Sequence, residues 1–352
     1  MNEEITVITP ELSPAAGGVA DYTLRVLENW PGPANFKVLV AQADRKIPSA
    51  YSVEKLGTDR LSILPQLPAN NGKVLVQYSA YGFDRFGYPR DLLRALIDWK
   101  KRTHGQLVIM FHEIWTFWPP TNKNFFVQFL HRRAIKRLLD CADNVFSSTP
   151  SQAEHLRKLS AKAPIHLLPV GSNVRRNEDV DLARVPGSAI IFGLQRVRLR
   201  GLRKWEASLR SLAAVGRIRK IISVGAGSDI TLAKEESALL GALPLKEGFK
   251  QRGALPEQEI SKLLLSASFG IFAHDELSLT KSGTFMAYAA HELNVLADFA
   301  DQAKSEPVCW LVAPAELLTG ISESELKRRA EQLFAWQQQI SSWRLISEKF
   351  AL

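Results

Sequence analysis

The feature that most constrains the fold is a series of short apolar runs that alternate with stretches of helical periodicity. In the first half of the chain the strand-like runs are 5–9, 36–41, 73–78, 106–111, 144–147 and 165–170. Helical spacing of apolar residues fills several gaps between them, for example at 91–102 and 125–140. This alternation is typical of a parallel sheet covered by helices, so the first half predicts one α/β domain.

A second series follows a break in the pattern. Residues 171–187 are polar and charged and end in Pro186 and Gly187, which is typical of an interdomain linker. Strand-like runs resume at 189–192, 220–224, 269–273, 294–297 and 309–312, and helical patterns follow at 323–339 and 342–350. We therefore predict an α/β protein with two Rossmann-like domains that face each other across a cleft. The predicted parts are an N-terminal domain at 1–170, a linker at 171–187, a C-terminal domain at 188–340 and a helix at 341–352 that packs back on the first domain.

Length and composition agree with two folded domains and narrow the choice of partners. A chain of 352 residues is longer than one hydrophobic core usually supports. The formal charge of +9 favours acidic partners, namely nucleic acid, an anionic membrane surface or phosphate-bearing small molecules. Cys141 and Cys309 have neither disulfide nor metal-site spacing, which fits a reducing compartment. Because the sequence shows no signal peptide and no apolar run long enough to span a bilayer, we expect a cytoplasmic location.

The first candidate site is a glycine pair between a strand and a helix, in the stretch ITVITPELSPAAGGVADYT at 5–23. Gly17 and Gly18 let the backbone approach a ligand closely, and the helix that follows offers free amides and the positive end of its dipole. Those groups suit a phosphate or a sugar hydroxyl. The alternative is that the two glycines only form the turn.

The second candidate is a group of cations after the first strand of the second half, in FGLQRVRLRGLRK at 192–204. Its members are Arg196, Arg198, Arg200, Arg203 and Lys204. We expect a loop here, at the carboxyl end of a strand, where a bound diphosphate would offset the repulsion through charge-assisted hydrogen bonds. The alternative is a solvated basic loop.

The third candidate introduces an apolar helix in AHDELSLTKSGTFMAYAAH at 273–291. Lys281, Ser282, Gly283 and Thr284 supply the cation, hydroxyls and amides that hold phosphate oxygens, although the upstream glycine of a P-loop is missing. The alternative is an ordinary Ser or Thr helix cap, which contributes about 1 kcal/mol of stability.

The fourth candidate is FHEIWTFWPPTNKNFFVQF at 111–129, where His112 and Glu113 end a strand and bulky aromatic residues follow. We expect His112 to donate to hydroxyls or to a developing charge, and Glu113 to orient it or to accept a proton from an acceptor. The alternative is a structural histidine. The basic segment 130–140 either touches acidic lipid head groups or forms a solvated helix face.

Five stretches together resemble the GT-B glycosyltransferases of the family 4 type: PELSPAAGGVADYT, FHEIW, SSTPSQAEHL, LPVGSNV and RGALPEQEISKLLLSAS. The resemblance runs over nearly the whole chain. It implies two Rossmann domains, an acceptor domain at 1–170 and a nucleotide-sugar-binding domain at 188–340. It further implies transfer with retention of anomeric configuration and no catalytic metal. It also implies that Gly17 and Gly18 lie near the donor phosphates, that His112 lies near the transferred sugar, and that Arg200 and Gly201 replace a Lys-Gly pair.

The chain departs from the family pattern in its charged residues. The Arg of the family's Gly-Arg pair has no aligned counterpart, and Arg196 is the nearest substitute. The two glutamates of the family align with Leu279 and Ala287, so we expect Lys281 to help bind phosphate and Glu276 to replace a carboxylate. The predicted catalytic set is His112, Glu113, Arg200 and Lys281, and the predicted donor-binding set is Gly17, Gly18, Arg196, Glu276, Ser282, Gly283 and Thr284.

The sequence thus predicts a glycosyltransferase that moves a hexose from a nucleotide diphosphate sugar to a hydroxyl of a glycan or lipid-linked acceptor, with no cofactor and no metal. We expect peripheral contact with an anionic inner membrane surface. Because no nucleic-acid-binding module is recognisable, we expect no nucleic-acid partner. Two alternatives remain: a nucleotide-sugar epimerase on the same architecture, and a non-catalytic sugar or nucleotide binder that regulates an active transferase.

Overall fold

The computed structural model describes residues 3–12, 17–42, 51–114, 119–122, 125–180, 182–297, 299 and 305–352. The chain divides into two compact units. Unit 1 comprises Met1–Val170 and Trp343–Leu352, and unit 2 comprises Gly171–Ser342. Unit 2 therefore begins at the first residue of the polar stretch that follows the first strand series.

Unit 1 is built on a parallel sheet. Its strands are β1 (Glu3–Thr9), β2 (Ala34–Val40), β3 (Ser52–Lys55), β4 (Lys73–Ser79), β5 (Gln106–Glu113), β6 (Asn144–Ser147) and β7 (Ile165–Leu167). Its first helices are α1 (Gly18–Glu28), α2 (Arg60–Ile63), α3 (Ala80–Phe83), α4 (Arg90–Thr103), α5 (Val127–Leu139) and α6 (Pro150–Leu159). The strand order is β3-β2-β1-β4-β5-β6-β7, so the sheet changes its direction of growth between β1 and β4.

The core of unit 1 explains why its central strands are so apolar. Every residue of β4 is buried, because helices cover both faces of a sheet of this kind. On α4 the buried residues Leu92, Leu96 and Trp99 recur at helical spacing, and the Trp99 indole N–H donates to the Pro68 carbonyl at 2.7 Å. The buried residues of the strands and the buried faces of the helices thus belong to one hydrophobic core.

Unit 2 repeats the arrangement with fewer strands. They are β8 (Val185–Phe192), β9 (Lys220–Val224), β10 (Phe249–Arg252), β11 (Ala267–Ile271) and β12 (Asn294–Leu296). Its helices are α7 (Gln195–Ala214), α8 (Ile230–Gly241), α9 (Glu257–Ser266), α10 (Gly283–Ala290), α11 (Pro314–Thr319) and α12 (Glu323–Ser341). The parallel order β10-β9-β8-β11-β12 changes direction between β8 and β11.

The last helix, α13 (Trp343–Ala351), belongs to unit 1. Its Phe350 is fully buried and packs edge-on against Phe146 at 5.1 Å between ring centroids. Ser347 donates to the Val26 carbonyl at 3.0 Å, and the Lys73 ammonium donates to the Ala351 carbonyl at 2.6 Å. The C-terminal residues therefore help to complete the core of unit 1.

The prediction of an α/β chain with two Rossmann-like sheets is confirmed, but several element predictions were wrong. The strands β3 and β10 were not predicted; both lie at a sheet edge, are short, and carry charged residues. Residues 309–312 are not a strand: a 3₁₀ turn occupies Val308–Trp310, and only Val312 bridges to Leu296. The last three residues of the predicted linker, 185–187, belong to β8.

Candidate functional site

The candidate site in unit 2 lies at the carboxyl edge of the sheet, at the switch point between the paired strands β8 and β11, where the strand order changes direction. Ligands of open α/β sheets bind at such a switch point. Here α7 packs closely against the segment that follows β11. A Cβ on Gly201 would lie only 2.5 Å from the Cβ of Ala273. Gly193 lies beside Thr284 of α10, whose hydroxyl would be 3.7 Å from a Cβ at Gly193. The structure therefore brings together the second and third candidate stretches.

The second stretch is a helix, and the prediction of a loop at 192–204 was wrong. Helix α7 begins at Gln195, and Gln, Arg and Leu are good helix formers. Arg203 pairs with Glu235 at 2.8 Å between Nε and Oε1, and the Lys204 ammonium lies 3.6 Å from Asp275. Carboxylates on neighbouring elements thus offset part of the charge that a bound diphosphate was expected to offset.

Arg198 is a structural residue of this stretch. It is 5% exposed, and its Nε and Nη2 atoms donate to the two carboxylate oxygens of Glu236 at 3.0 and 3.1 Å. Its Nη1 donates to the Gly193 carbonyl at 2.6 Å, and Ser223 donates to Glu236. Such a bidentate pair fixes the loop that follows β8.

The loops after β8 and β9 are in direct contact, which requires glycine. Gly225 has a φ of +138°, and a Cβ there would overlap the Gly193 carbonyl oxygen. Gln195 binds the backbone of Asp229 twice, donating to its carbonyl at 2.8 Å and accepting from its N–H at 3.2 Å. These contacts make a rigid frame at the carboxyl edge of the sheet. The sequence reasoning assigned no role to Gln195 or Gly225, whose partners are distant in the chain.

Of the five cations in the second stretch, Arg196 and Arg200 are the two still to be placed, and both are exposed. They are four residues apart on α7 and so lie on one face. Arg200 Nη2 lies 3.3 Å from Nδ1 of His274, the third residue after β11. Burial, and then the charge of Arg200, lower the pKa of His274, so the ring is neutral near pH 7 and accepts from the guanidinium. His274 was missed, although a histidine just after an apolar strand is a usable signal.

The third stretch begins α10. Ser282 is its N-cap and its hydroxyl accepts from the Phe285 N–H at 3.2 Å, which is the cap that the sequence left as an alternative. Gly283 and Thr284 are the first helical residues, and N–H groups at those positions have no acceptor within a helix. Lys281 is exposed, with no charged partner among the described residues. The N-terminus of α10 therefore offers amides, a hydroxyl and a cation beside Gly193.

The positions that align with the family's two glutamates belong to the core. Leu279 is 3% exposed, in a 3₁₀ turn at Glu276–Lys281, and Ala287 is fully buried in α10. Glu276 is exposed at the start of that turn. A carboxylate is thus available from the turn that precedes α10, but not from the two aligned positions.

In unit 1, His112 is held inside the core rather than presented on its surface. It is 6% exposed, its Nε2 lies 2.8 Å from Oε1 of Gln77, and its ring packs edge-on against Tyr22 at 4.8 Å. The Tyr22 hydroxyl and the Gln77 Nε2 are buried and have no hydrogen-bond partner among the described residues. Burial raises the pKa of Tyr22, so this hydroxyl stays protonated and can donate. The environment of His112 fits the structural alternative.

The other predicted residues of unit 1 are more accessible. Glu113 is exposed and accepts from the Ser79 hydroxyl at 3.0 Å. Gly17 caps α1, and a Cβ there would overlap the carboxylate of Glu11. Among the residues that the structure describes, none lies within 4 Å of a Cβ built on Gly18. A phosphate at this helix N-terminus would therefore meet an acidic side chain, which disfavours it.

The aromatic stretch is only partly described, since Trp115, Phe117 and Trp118 lie outside the described residues. At the start of α5, Phe126 is 75% exposed, Phe129 49% and Leu130 57%. Over the same described part of the chain, no helix is long and apolar enough to cross a membrane, and no group of three His, Cys, Asp or Glu side chains is placed to hold a metal ion.

Comparisons with known proteins define the fold. Neither a scan of protein-family models nor a search of curated proteins gives a match. Among solved structures, HepE from Anabaena, in complex with UDP and glucose, matches with 11% identity, 99% of this chain, 98% of that chain and a TM-score of 0.59. The α,α-trehalose 6-phosphate synthase from Burkholderia multivorans matches with 11% identity, 100% and 96% coverage and a TM-score of 0.60. A protein from Listeria monocytogenes assigned as a UDP-N-acetylglucosamine 2-epimerase gives 12% identity, 100% and 95% coverage and a TM-score of 0.55.

The matches span the whole chain and both sheets, and at this level of identity they establish the architecture. The chain has the GT-B fold, with two Rossmann-like domains in one polypeptide, as predicted.

Proposed function

We propose that this protein is a glycosyltransferase that moves a hexose from a nucleotide diphosphate sugar to a hydroxyl of a glycan or lipid-linked acceptor. The observation that carries the proposal is the meeting of two cationic elements at the switch point of unit 2. Helix α7, which carries Arg196 and Arg200, begins two residues after Gly193. Thr284, at the start of α10 and three residues after Lys281, lies beside Gly193. A diphosphate is the ligand that matches three cations and open helix amides.

The proposed chemistry follows from where charge develops. Breaking the bond between the sugar and the diphosphate leaves negative charge on the phosphate oxygens, and fixed donors beside those oxygens lower the barrier. Arg200 and Lys281 supply cations, and Gly283 and Thr284 supply amides and a hydroxyl. His274, neutral and bound to Arg200, holds that guanidinium in place. Retention of configuration and independence of metal remain part of the proposal.

Donor binding is tested by a thermal-shift panel of UDP, GDP, ADP, CMP and their sugars, each with EDTA and with magnesium. A ligand at about 100 times its Kd should stabilise unit 2 by about 2.7 kcal/mol. In a unit of this size that corresponds to a rise of about 5 to 11 °C in Tm. The expected result is a shift with one nucleotide that EDTA does not remove.

Two variants and one control place the site. Arg200→Ala and Lys281→Ala each remove a charged donor, so each should weaken nucleotide binding about 10- to 100-fold. Arg210→Ala on the same helix, where Arg210 pairs with Glu206, should leave binding unchanged. If all three variants bind the nucleotide as the wild type does, the donor site is not at this switch point.

A second candidate is a non-catalytic nucleotide-sugar binder, favoured by the buried apolar residues at Leu279 and Ala287. An epimerase is a third, since one matching structure carries that assignment. Product analysis separates them. Transfer that needs an acceptor supports the proposal, conversion of the nucleotide sugar without acceptor indicates an epimerase, and tight binding with no conversion indicates the non-catalytic role.

We further propose that the start of α5 touches an anionic membrane surface. Three exposed apolar side chains, Phe126, Phe129 and Leu130, precede the cations Arg133 and Arg137 on the same helix. Apolar groups beside cations are typical of interfacial helices. In vesicle flotation, the protein should bind phosphatidylserine vesicles but not neutral ones, and Phe126→Ser with Leu130→Ser should abolish the binding. Equal flotation of this double variant and the wild type would exclude this contact.

A further inference from the structure

A groove between α4 and α5 of unit 1 collects more cations than carboxylates. It has a volume of about 620 Å³, within the range of about 300 to 1,000 Å³ that small-molecule sites occupy. The half-buried residues Ile97 and Cys141 supply an apolar part of its lining. The charged residues of the described lining are Arg60, Arg94, Lys101, Arg137, Asp98 and Asp140. We call this cavity the α4–α5 groove.

The α4–α5 groove lies away from the carboxyl edge of the unit 1 sheet. Lys101 and Arg137 lie in the last turns of α4 and α5, shortly before β5 and β6 begin. Because β5 and β6 start at the amino edge of the parallel sheet, these last turns lie toward that edge, whereas open α/β sheets bind their ligands at the other one. The groove is therefore separate from the sequence candidates of unit 1, which lie after β1 and at the end of β5.

Both carboxylates of the groove already have cationic partners. Asp98 Oδ2 lies 2.6 Å from Nε of Arg60. Asp140 accepts from the Lys136 ammonium at 2.7 Å and from the Ser160 hydroxyl at 2.6 Å. The bond from Lys136, and then the one from Ser160, lower the pKa of Asp140 and keep it ionised. Neither carboxylate is left to neutralise the other cations of the lining.

Three cations of the groove are uncompensated. Arg94, Lys101 and Arg137 are exposed and have no charged partner among the described residues. The alternative is that they only complement the negative ends of helices, which is a sufficient reason for Lys101 and Arg137 in the last turns. Arg94 lies in the second turn of α4, where that effect gives no reason for a cation. A bound anion would offset the repulsion among the three.

Charged residues around the lining leave this excess in place. Asp143 is paired with Lys100, with the nearest atoms 2.6 Å apart. Asp59 directs its carboxylate to the start of α2, where it accepts from two backbone N–H groups at 2.8 and 3.0 Å. Asp91 lines a different cavity of unit 1. Lys162 adds a further positive charge, close enough to lower the pKa of Asp140.

The number and type of the free cations select among anions. A phosphate monoester carries about 1.5 to 2 negative charges at pH 7 and presents three strong acceptor oxygens. Guanidinium groups bind phosphate through paired hydrogen bonds, and lysine binds it as a point charge. A carboxylate or a phosphate diester carries a single charge and would leave more of the repulsion in place. Two arginines and one lysine therefore match a phosphate monoester best.

We propose that the α4–α5 groove binds a phosphate monoester through Arg94, Lys101 and Arg137. This group is found both in soluble phosphorylated compounds and in lipids whose head group is a phosphate monoester. The site does not rest on the proposed transferase, because unit 1 alone forms it.

Isothermal titration calorimetry on the full chain tests the proposal, with glycerol 1-phosphate as the monoester and dimethyl phosphate as the diester. The protein carries Arg200→Ala and Lys281→Ala, so that the proposed donor site of unit 2 does not contribute. Salt at about 0.15 M screens loose attraction between exposed charges. We expect a Kd below about 1 mM for the monoester and a Kd at least about 10-fold higher for the diester.

A groove variant and a matched control locate the binding. Arg94→Gln with Lys101→Gln removes two exposed cations and should weaken monoester binding at least about 10-fold. The control is Lys158→Gln with Arg344→Gln, which removes the same charge from side chains of unit 1 that are 69% and 86% exposed. The control should bind the monoester as the parent protein does. Nucleotide affinity, measured with Arg200 and Lys281 intact, should be the same in the groove variant and the wild type.

Vesicle flotation distinguishes the two sources of the phosphate. Vesicles of phosphatidic acid, a monoester, are compared with vesicles of phosphatidylserine, a diester, at matched surface charge. Tighter binding to phosphatidic acid that is lost in the groove variant identifies a lipid head group. Binding of glycerol 1-phosphate with equal flotation on both lipids identifies a soluble compound. The proposal is overturned if the groove variant and the control agree in both assays, or if dimethyl phosphate binds as tightly as glycerol 1-phosphate.

Discussion

Removing one partner of the buried ion pair between Arg198 and Glu236 should strongly destabilise unit 2, because the other charge is then left buried alone. The two side chains are only 6% and 1% exposed. Glu236→Gln keeps the shape of the side chain but leaves the Arg198 charge buried without a counter-charge, which typically costs about 3 to 5 kcal/mol. For a unit of this size the Tm should fall by about 6 to 20 °C.

The neighbouring residue provides the control. Glu235 pairs with Arg203 between the same two helices, but these side chains are 37% and 57% exposed. An exposed pair contributes about 0 to 1 kcal/mol, so Glu235→Gln should lower the Tm by no more than about 4 °C. Both variants and the wild type are compared by calorimetry, with the transition of unit 2 identified by its response to nucleotide.

A double variant separates the charge from the packing. Arg198→Met with Glu236→Gln removes both charges and should recover part of the stability lost in Glu236→Gln. Because Arg198 also donates to the Gly193 carbonyl, nucleotide affinity should stay low even where stability returns. If Glu236→Gln and Glu235→Gln unfold within about 1 kcal/mol of each other, the reasoning from burial is wrong.

Four further outcomes are expected. Burial lowers the pKa of His131 and of His291 to about 4. Below about pH 6.5 these histidines are protonated in the unfolded chain but stay neutral in the folded units. The free energy of unfolding therefore decreases from about pH 6.5 towards pH 4. His131→Gln and His291→Gln should each reduce the loss between pH 7 and 4.5 by about 2 kcal/mol in urea titrations, and an equally steep loss would contradict the burial argument. Gly225→Ala should cost more than about 2 kcal/mol of stability and abolish nucleotide binding, because the new Cβ would overlap the Gly193 carbonyl. The control, Gly241→Ala at the end of α8, should be neutral or mildly stabilising. Equal Tm values for the two variants would show that the contact between the loops after β8 and β9 does not require glycine. Ser282→Ala should cost about 1 kcal/mol through the lost cap, and no change in Tm would mean that the cap is not needed. Burial raises the pKa of the Cys141 thiol to about 11, so in a Cys309→Ser background iodoacetamide should react about 100-fold more slowly than with free cysteine; rapid labelling would refute it.

Much of the fold could be predicted because its signals are local. Apolar runs such as Val74–Val76 and Val108–Met110 are continuous, which marks strands covered on both faces, and they alternate with helices. Edge strands lack this signal: β3 and β10 are four residues long and mostly exposed, and neither was predicted. Residues 309–312 carried the apolar signal, but only one bridge forms there. Local apolarity thus identifies central strands and is unreliable at the edges.

The candidate site was less predictable because roles in it are assigned by partners distant in sequence. In the run RVRLRGLRK only the likeness to the family's Lys-Gly pair distinguished Arg200 from Arg198. In the structure Arg198 pairs with Glu236, 38 residues away, while Arg200 faces His274, 74 residues away. Helical spacing does carry part of the answer, since Arg196 and Arg200 share one face and Arg198 points elsewhere. That spacing became usable only once α7 was known to begin at Gln195. The start of the helix therefore decides which cations can reach a phosphate. Arg198→Ala should mainly lower the stability of unit 2, whereas Arg200→Ala should lower only the affinity for nucleotide.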